Sequence, residues 1–249
     1  MPRRPVTVIT GGTRGIGAAC ALRLARSGHD VVVGHLGDDA SAEGTLAALR
    51  ASGARAVAVR GDVTDEAVVD RLFEAAVGLG PVTGLVNNAG LTAHVGDLAD
   101  TPVAVLRRVV DVNLVAALLC ARRAVQVMST ARGGAGGAVV NISSAAATLG
   151  APHEYVHYAA AKAAVEALTV GLAKEAAAQG VRVNAVAPGT VRTGIHAAAG
   201  DPGRPDRVAA RIPLGRPGEP DEVAAAACWL LGPESGYVTG AVLRVAGGL

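Results

Sequence analysis

The chain has 249 residues, of which 51% are hydrophobic and only 2% aromatic, and carries a formal net charge of +2. That length suits one large domain with a core of small aliphatic residues, and a near-neutral charge with no basic block beyond Arg3-Arg4 argues against nucleic-acid binding. Cys20, Cys120 and Cys228 are odd in number and lie in apolar helical patterns, so they read as reduced core residues. No signal peptide fits before the first strand and no apolar run reaches membrane-spanning length, which predicts a cytoplasmic protein without membrane contact.

In chain order, residues 6–10 form a short branched run read as a buried strand. The glycine turn 11–17 follows, then a helix stopped by Gly28. Strands are predicted at 31–33, 56–59 and 82–86, with helices at about 41–52 and 65–78 between them. A long helix is expected over about 102–130. Beyond the glycine-rich turn 133–137 come a strand at 138–142, a helix that carries Tyr158 to about residue 179, and a strand at 181–186. Residues 193–211 are loosely patterned and rich in Ala, Gly and Pro; a helix at 221–231 and a strand at 241–245 close the chain. Nearly continuous apolar strands alternating with helices place the chain in the α/β class. The expected architecture is a Rossmann-type doubly wound parallel sheet of about seven strands, helices on both faces, in a single domain over residues 1–249.

Two stretches carry chemistry. In Gly11-x-x-x-Gly15-x-Gly17, between the first strand and the first helix, glycines let the backbone approach a pyrophosphate and the helix start offers free N–H groups. The residues expected to meet a dinucleotide there are Gly11, Thr13, Arg14, Gly15, Ile16 and Gly17. The second strand ends in Gly34-His35-Leu36, without the carboxylate that would bind ribose hydroxyls and repel a 2′-phosphate. With Arg14 in the turn and His35 at the strand end, NADP(H) is the expected cofactor, NAD(H) being the alternative.

The second stretch is Tyr158-Ala159-Ala160-Ala161-Lys162, which puts a phenol and an ammonium one helical turn apart. Only Lys162 and Lys174 are lysines among 23 basic residues, so an arginine-biased chain places a compact, tunable cation here. At about 5 Å and an effective dielectric of about 20, the ammonium favours the phenolate by about 3 kcal/mol, enough to draw a tyrosine from about 10 toward 8, less whatever desolvation takes back.

These residues, with Asp62-Val63, Asn87-Asn88-Ala89-Gly90, Asn113, Asn141-Ile142-Ser143-Ser144, Pro188-Gly189 and Thr193 in this order, resemble the short-chain dehydrogenases/reductases over essentially the whole chain. The branch most resembled is that of 3-oxoacyl-thioester reductases and glucose dehydrogenases. The resemblance implies roles. Asp62 and Val63 would sit by the adenine, and Asn88, Ala89 and Gly90 would line the central cofactor pocket. Pro188, Gly189, Val191 and Thr193 would hold the nicotinamide end. Ser144 would hydrogen-bond the substrate oxygen, with Ser143 its rival for that place, and Tyr158 would exchange the proton. Lys162 would hold the nicotinamide ribose, and Asn113 would support a water joining it to solvent. The implied reaction is NADPH-dependent reduction of a carbonyl to a secondary alcohol, as in 3-oxoacyl-thioester reduction; a sugar or secondary-alcohol dehydrogenase is the nearest alternative. A catalytically silent NADP(H)-binding sensor is the rival of another class, and the complete set Asn113, Ser144, Tyr158 and Lys162 argues against it. The family also implies a homotetramer, or else a homodimer.

The substrate end is the least legible. Ser144 and Tyr158 stand 14 positions apart, one more than the family spacing, with the extra residue placed within 150–157. His153-Glu154-Tyr155-Val156-His157 matches the zinc-protease pattern His-Glu-x-x-His. Pro152 confines it to a loop or first helical turn and no third ligand follows at a recognised spacing, so no metal site is assigned. His153, Tyr155 or His157 is expected instead to shape the substrate entrance or to serve the helix start. Residues 193–211 are expected to form a mobile lid, whose Arg204, Arg207 and Arg211, with Arg192 beside it, offer an anion positive charge.

Overall fold

The computed structural model describes residues 4–249; Met1-Pro2-Arg3, expected to carry no leader, lie outside the described residues. The chain alternates strand and helix through β1 (Val6–Ile9), α1 (Gly15–Arg26), β2 (Asp30–His35), α2 (Asp39–Ala51), β3 (Ala56–Arg60), α3 (Glu66–Leu79) and β4 (Val82–Asn87). It continues through α4 (Val103–Val110), α5 (Ala116–Met128), β5 (Gly137–Ile142), α6 (Ala146–Leu149), α7 (Val156–Ala176) and β6 (Val181–Pro188). The short helices α8 (Ile195–Ala198) and α9 (Arg204–Val208), then α10 (Pro220–Leu231) and β7 (Val242–Val245), complete it. All seven strands are parallel in one sheet, in the order β3-β2-β1-β4-β5-β6-β7. The order reverses between β1 and β4, and at such a point the strand C-termini open a crevice.

Local chemistry sets the ends of these elements. Asp38 and Asp65 cap α2 and α3 by accepting from the backbone N–H of Ser41 and Ala67. Glu219 and Glu222 form a capping box around Pro220 at the start of α10. The sheet buries apolar side chains on both faces, as near-continuous branched strands require. On one face Val8, Leu85, Val139 and Val183 meet Phe73 of α3 and Cys120 and Met128 of α5. On the other Val31, Val33, Val86 and Val140 meet Leu24 of α1 and Leu230 of α10. A buried polar chain then fixes the helix that carries Tyr158. Asn87 Nδ2 donates to Asn141 Oδ1 at 2.9 Å, Asn141 Nδ2 to Thr169 Oγ1 at 2.9 Å, and Thr169 Oγ1 to Val165 O at 2.8 Å.

Three stretches differ from expectation. The helix expected over 102–130 is interrupted by a widened π-type turn, Asp111–Val115, and ends at Met128. Asn113 lies in that turn, and its side-chain amide donates to Val109 O at 2.9 Å, a carbonyl in the preceding turn. Between β5 and α7 the unforeseen helix α6 is ended by Gly150 at φ 78°. Residues 193–211 contain α8, α9 and a final single turn instead of an irregular loop.

Candidate active site

A cavity of about 680 Å³ opens at the C-terminal ends of the strands, in the size range of small-molecule sites. It runs from the turn after β1 and the end of β2, past Asn88, Ala89 and Gly90, to Ser144, Tyr155 and Tyr158.

At the phosphate end, Gly15 has φ 53°, and a Cβ on it would lie 3.3 Å from Thr193 Cγ2. Gly17 does not line the cavity. A Cβ there would lie 2.3 Å from Gly11 O, so its bareness lets α1 close onto the turn. Asn88 Nδ2 braces the turn by donating to Thr10 O at 3.0 Å and Gly11 O at 2.9 Å. α1 has no acidic residue in its first turn and no side-chain cap at Arg14, so its first N–H groups face the cavity with partial positive charge. A glycine cradle of this kind, with Thr13, Arg14, Gly15 and Ile16 on its wall, fits a dinucleotide pyrophosphate.

At the adenosine end, His35, Asp62 and Val63 line the wall. His35 is buried, and its Nδ1 lies 3.8 Å from Asp39. The cavity-lining Asp38 is committed to Ser41, accepting from its N at 3.1 Å and its Oγ at 2.7 Å; these bonds, with Arg14 and His35 nearby, hold it below its ordinary value. Burial raises the Asp62 carboxyl, but bonds from Thr64 and Arg108 outweigh it and leave the group lowered. Arg108, whose Nη2 donates to Asp62 Oδ2 at 2.7 Å, was not foreseen. It stands 46 residues away on α4, and nothing in its local pattern points there.

At the centre, the two serines separate cleanly. Ser143 Oγ donates to Glu166 Oε1 at 2.9 Å and lies 3.2 Å from Lys162 O, which commits its hydroxyl to the fold. Ser144 Oγ accepts from Ala146 N at 3.1 Å, which orients the oxygen and leaves its O–H to donate toward the cavity and Tyr158. Lys162 is buried, and its Nζ donates to Ile142 O at 2.8 Å. Asn113 does not line the cavity. It exchanges two hydrogen bonds with Leu91, Nδ2 to O at 2.7 Å and N to Oδ1 at 3.2 Å, and so fixes the loop after Gly90.

The expected depression of the Tyr158 phenol is not found. Burial pushes it up to about 12, against smaller lowering influences from Ser144 and Arg204. Lys162 is pulled down by burial to about 8. The reason is desolvation: both groups have left water, and the ammonium, 5.6 Å from the ring centroid, is held on a backbone carbonyl instead of the phenol.

The substrate end is walled mainly by apolar side chains, among them Leu91, Val95, Leu149, Tyr155 and Ile195. The Tyr155 ring stands edge-on to Tyr158 at 5.5 Å between centroids. Burial raises the Tyr155 hydroxyl well above its usual range. Expected to shape the entrance, His153 does not line the cavity. It is exposed, at φ 61°, with Nδ1 2.7 Å from Asp97 Oδ1. His157 is buried with Nε2 3.1 Å from Thr92 O, so the two histidines of the His-Glu-x-x-His pattern are held by different partners. Among the described residues, the three non-glycine positions with positive φ are Ala93, Ala151 and His153. All lie on loops beside this end, and Ala151 and His153 fall within 150–157, where the extra residue is expected. Pro188, Gly189, Val191 and Thr193 face the same crevice from the end of β6 onward.

A family model described as enoyl-(acyl carrier protein) reductase matches residues 11–249. An Escherichia coli K12 protein described as uncharacterized oxidoreductase YgfF is 43% identical over 244 residues, covering 98% of this chain and 99% of its own. A cis-4-hydroxycyclohexanecarboxylate dehydrogenase of Sinomonas cyclohexanicum is 42% identical, covering 98% of this chain and 95% of its own. The crystal structure of levodione reductase superposes with a TM-score of 0.90 at 31% identity, covering 98% of this chain and 96% of that one. The chain belongs to the short-chain dehydrogenase/reductase family. It is an NAD(P)(H)-dependent oxidoreductase working between carbonyl and alcohol groups.

Burial of Lys162 gives a stability prediction. The fall from 10.5 to about 8 corresponds to about 3 kcal/mol of unfavourable burial of the charged form. Below pH 8 the group is protonated folded and unfolded, so that cost is complete; above 10.5 it is neutral in both and the cost is gone. Lys162→Met is therefore expected to lose turnover yet melt several degrees higher than the parent at pH 7, with the gap closing between pH 8 and 10.5. A variant that melts lower at pH 7 would contradict this.

Proposed function

We propose that the chain catalyses NADPH-dependent reduction of a carbonyl to a secondary alcohol, with Tyr158 as proton donor, Ser144 as the hydrogen-bond donor to the carbonyl oxygen, and Lys162 and Asn113 as their support. The observation that carries this reading is the convergence of Ser144, Tyr158 and Lys162 on one crevice with the glycine cradle. When bound, NADPH supplies the hydride. As negative charge grows on the substrate oxygen, the oriented Ser144 hydroxyl donates to it and Tyr158 Oη delivers the proton. A phenol held near 12 stays protonated through neutral pH, which suits the reducing direction. Lys162 Nζ, 5.6 Å from the ring centroid, supplies the positive charge that offsets the phenolate left when Tyr158 gives its proton to the substrate oxygen, and would hold the cofactor ribose. Selection of NADPH rests on the absence of a carboxylate at the end of β2, with Arg14 and His35 facing that wall.

Two substrate classes share this chemistry. The motif resemblance supports a 3-oxoacyl thioester, and the family model's description shares with it only the acyl-carrier thioester, its named substrate being an enoyl group. The apolar substrate end, closed by Tyr155 and the α8–α9 segment, favours a compact ring or secondary alcohol, the class named in the cis-4-hydroxycyclohexanecarboxylate dehydrogenase relative. We further propose a homotetramer. Val103 and Val110 of α4, Leu118 of α5 and Val170 of α7 are exposed large hydrophobics, as are Trp229 of α10 and Leu243 of β7. Sedimentation at a mass other than four times the 24.6 kDa chain would count against it.

A Tyr158→Phe variant tests the mechanism and cofactor choice together. It is expected to bind NADPH, and more tightly than NADH, while losing about a thousandfold or more in turnover on a panel of ketones. Full turnover in the variant, or tighter binding of NADH, would refute the corresponding part.

A further inference from the structure

Of the four arginines at 192–211, three do not line the cavity. Arg192 pairs with Asp206 and Glu219, Arg207 pairs with Asp201, and Arg211 is exposed. Arg204, the first residue of α9, instead lines the substrate end, its side chain 12% exposed. It is the one arginine on that part of the wall; Arg14 and Arg108 lie at the adenosine end. Its Nη2 donates to Glu154 Oε2 at 2.5 Å and its Nη1 to Thr190 Oγ1 at 3.2 Å. The guanidinium carbon lies 5.2 Å from the Tyr155 ring centroid, and Tyr155 in turn packs edge-on against Tyr158. The Nε of Arg204 is buried and has no acceptor. A buried donor without a partner is costly and calls for an explanation.

Building on the carbonyl-reductase reading, we propose that Arg204 binds a carboxylate of the substrate, which makes the substrate a ring or short-chain oxo acid and its product the hydroxy acid. A guanidinium held by stacking and by two side-chain acceptors is a preorganised fork for a carboxylate. The guanidinium edge that Glu154 now holds on the cavity wall is the one an incoming carboxylate would take. One aromatic ring, Tyr155, spaces the cation from the Tyr158 phenol, so the acid group and the reacting carbonyl sit on opposite parts of one compact molecule. Glu154 is the resident carboxylate on this fork, itself on the cavity wall and a quarter exposed. The substrate acid therefore competes with Glu154 for Arg204. A neutral 3-oxoacyl chain would make no use of this cation.

The test is a selectivity ratio, kcat/KM for 4-oxocyclohexanecarboxylate over kcat/KM for its methyl ester with NADPH, measured within each protein so that general losses of fold or activity cancel. The wild type is expected to prefer the acid. Arg204→Gln should lower the ratio by about tenfold or more, and Glu154→Gln should raise it several-fold by removing the competitor. A wild type that turns over the ester at least as well as the acid, or a ratio that neither variant moves, would overturn the inference and leave the reductase reading standing. Absence of turnover on both compounds and on a wider ketone panel would overturn that reading and this one with it.

Discussion

Lys162 keeps its ammonium inside the protein with one backbone carbonyl, Ile142 O at the end of β5, as its hydrogen-bond partner. Much of the molecule serves that contact. β5 lies between β4 and β6, and Ile142 at its end is paired with Val186 of β6. α7 is fixed in turn by Asn87, Asn141 and Thr169 below and by the Ser143–Glu166 bond beside it. The cation is thus positioned before any ligand arrives, at the cost of desolvation that lowers its proton affinity. Preorganisation of this kind stabilises charge that develops during reaction without rearrangement at the moment it is needed.

The same burial explains why Tyr158 and Lys162 do not yet form the pair that their spacing suggests. A one-turn separation on a helix predicts proximity and an attraction from which desolvation must be subtracted. The folded chain removes water from both, and desolvation then exceeds the attraction. Ser144 and Arg204 act on the phenol in the lowering direction, one through a hydrogen bond and the other through its charge. The substrate end of the cavity therefore draws on the loop after β5, the first two turns of α7 and the start of α9.

The parts of the fold that follow from local periodicity were legible in the sequence. Seven parallel strands and the glycine turn after the first follow from apolar runs, while the placement of Gly11, Arg14, Asn88, Ser144, Tyr158 and Lys162 near one crevice follows from the ordered motifs of the family resemblance. What stayed hidden depends on contacts far apart in the chain. The widened turn at Asn113 reflects its side chain capturing Val109 O, which no hydrophobic pattern records. His153 looked like an entrance residue because it neighbours Tyr155, but a left-handed backbone at an alanine and a histidine turns it toward Asp97. Nothing in the side chains of Ala151 or His153 announces positive φ. The selection of Arg204 from four nearby arginines required Glu154, Thr190 and Tyr155 to be seen around it.

The most direct test of this account is the titration of the Tyr158 phenol in the cofactor-free protein. The chain has only three tyrosines, Tyr155, Tyr158 and Tyr237, so ring-carbon NMR with labelled tyrosine and a Tyr158→Phe control identifies each signal. The prediction is that Tyr158 remains a phenol above pH 10, the ordinary tyrosine value, as burial dictates. Ionisation of Tyr158 near pH 8 without cofactor would contradict it, and would mean that Lys162 governs the phenol in the empty site after all.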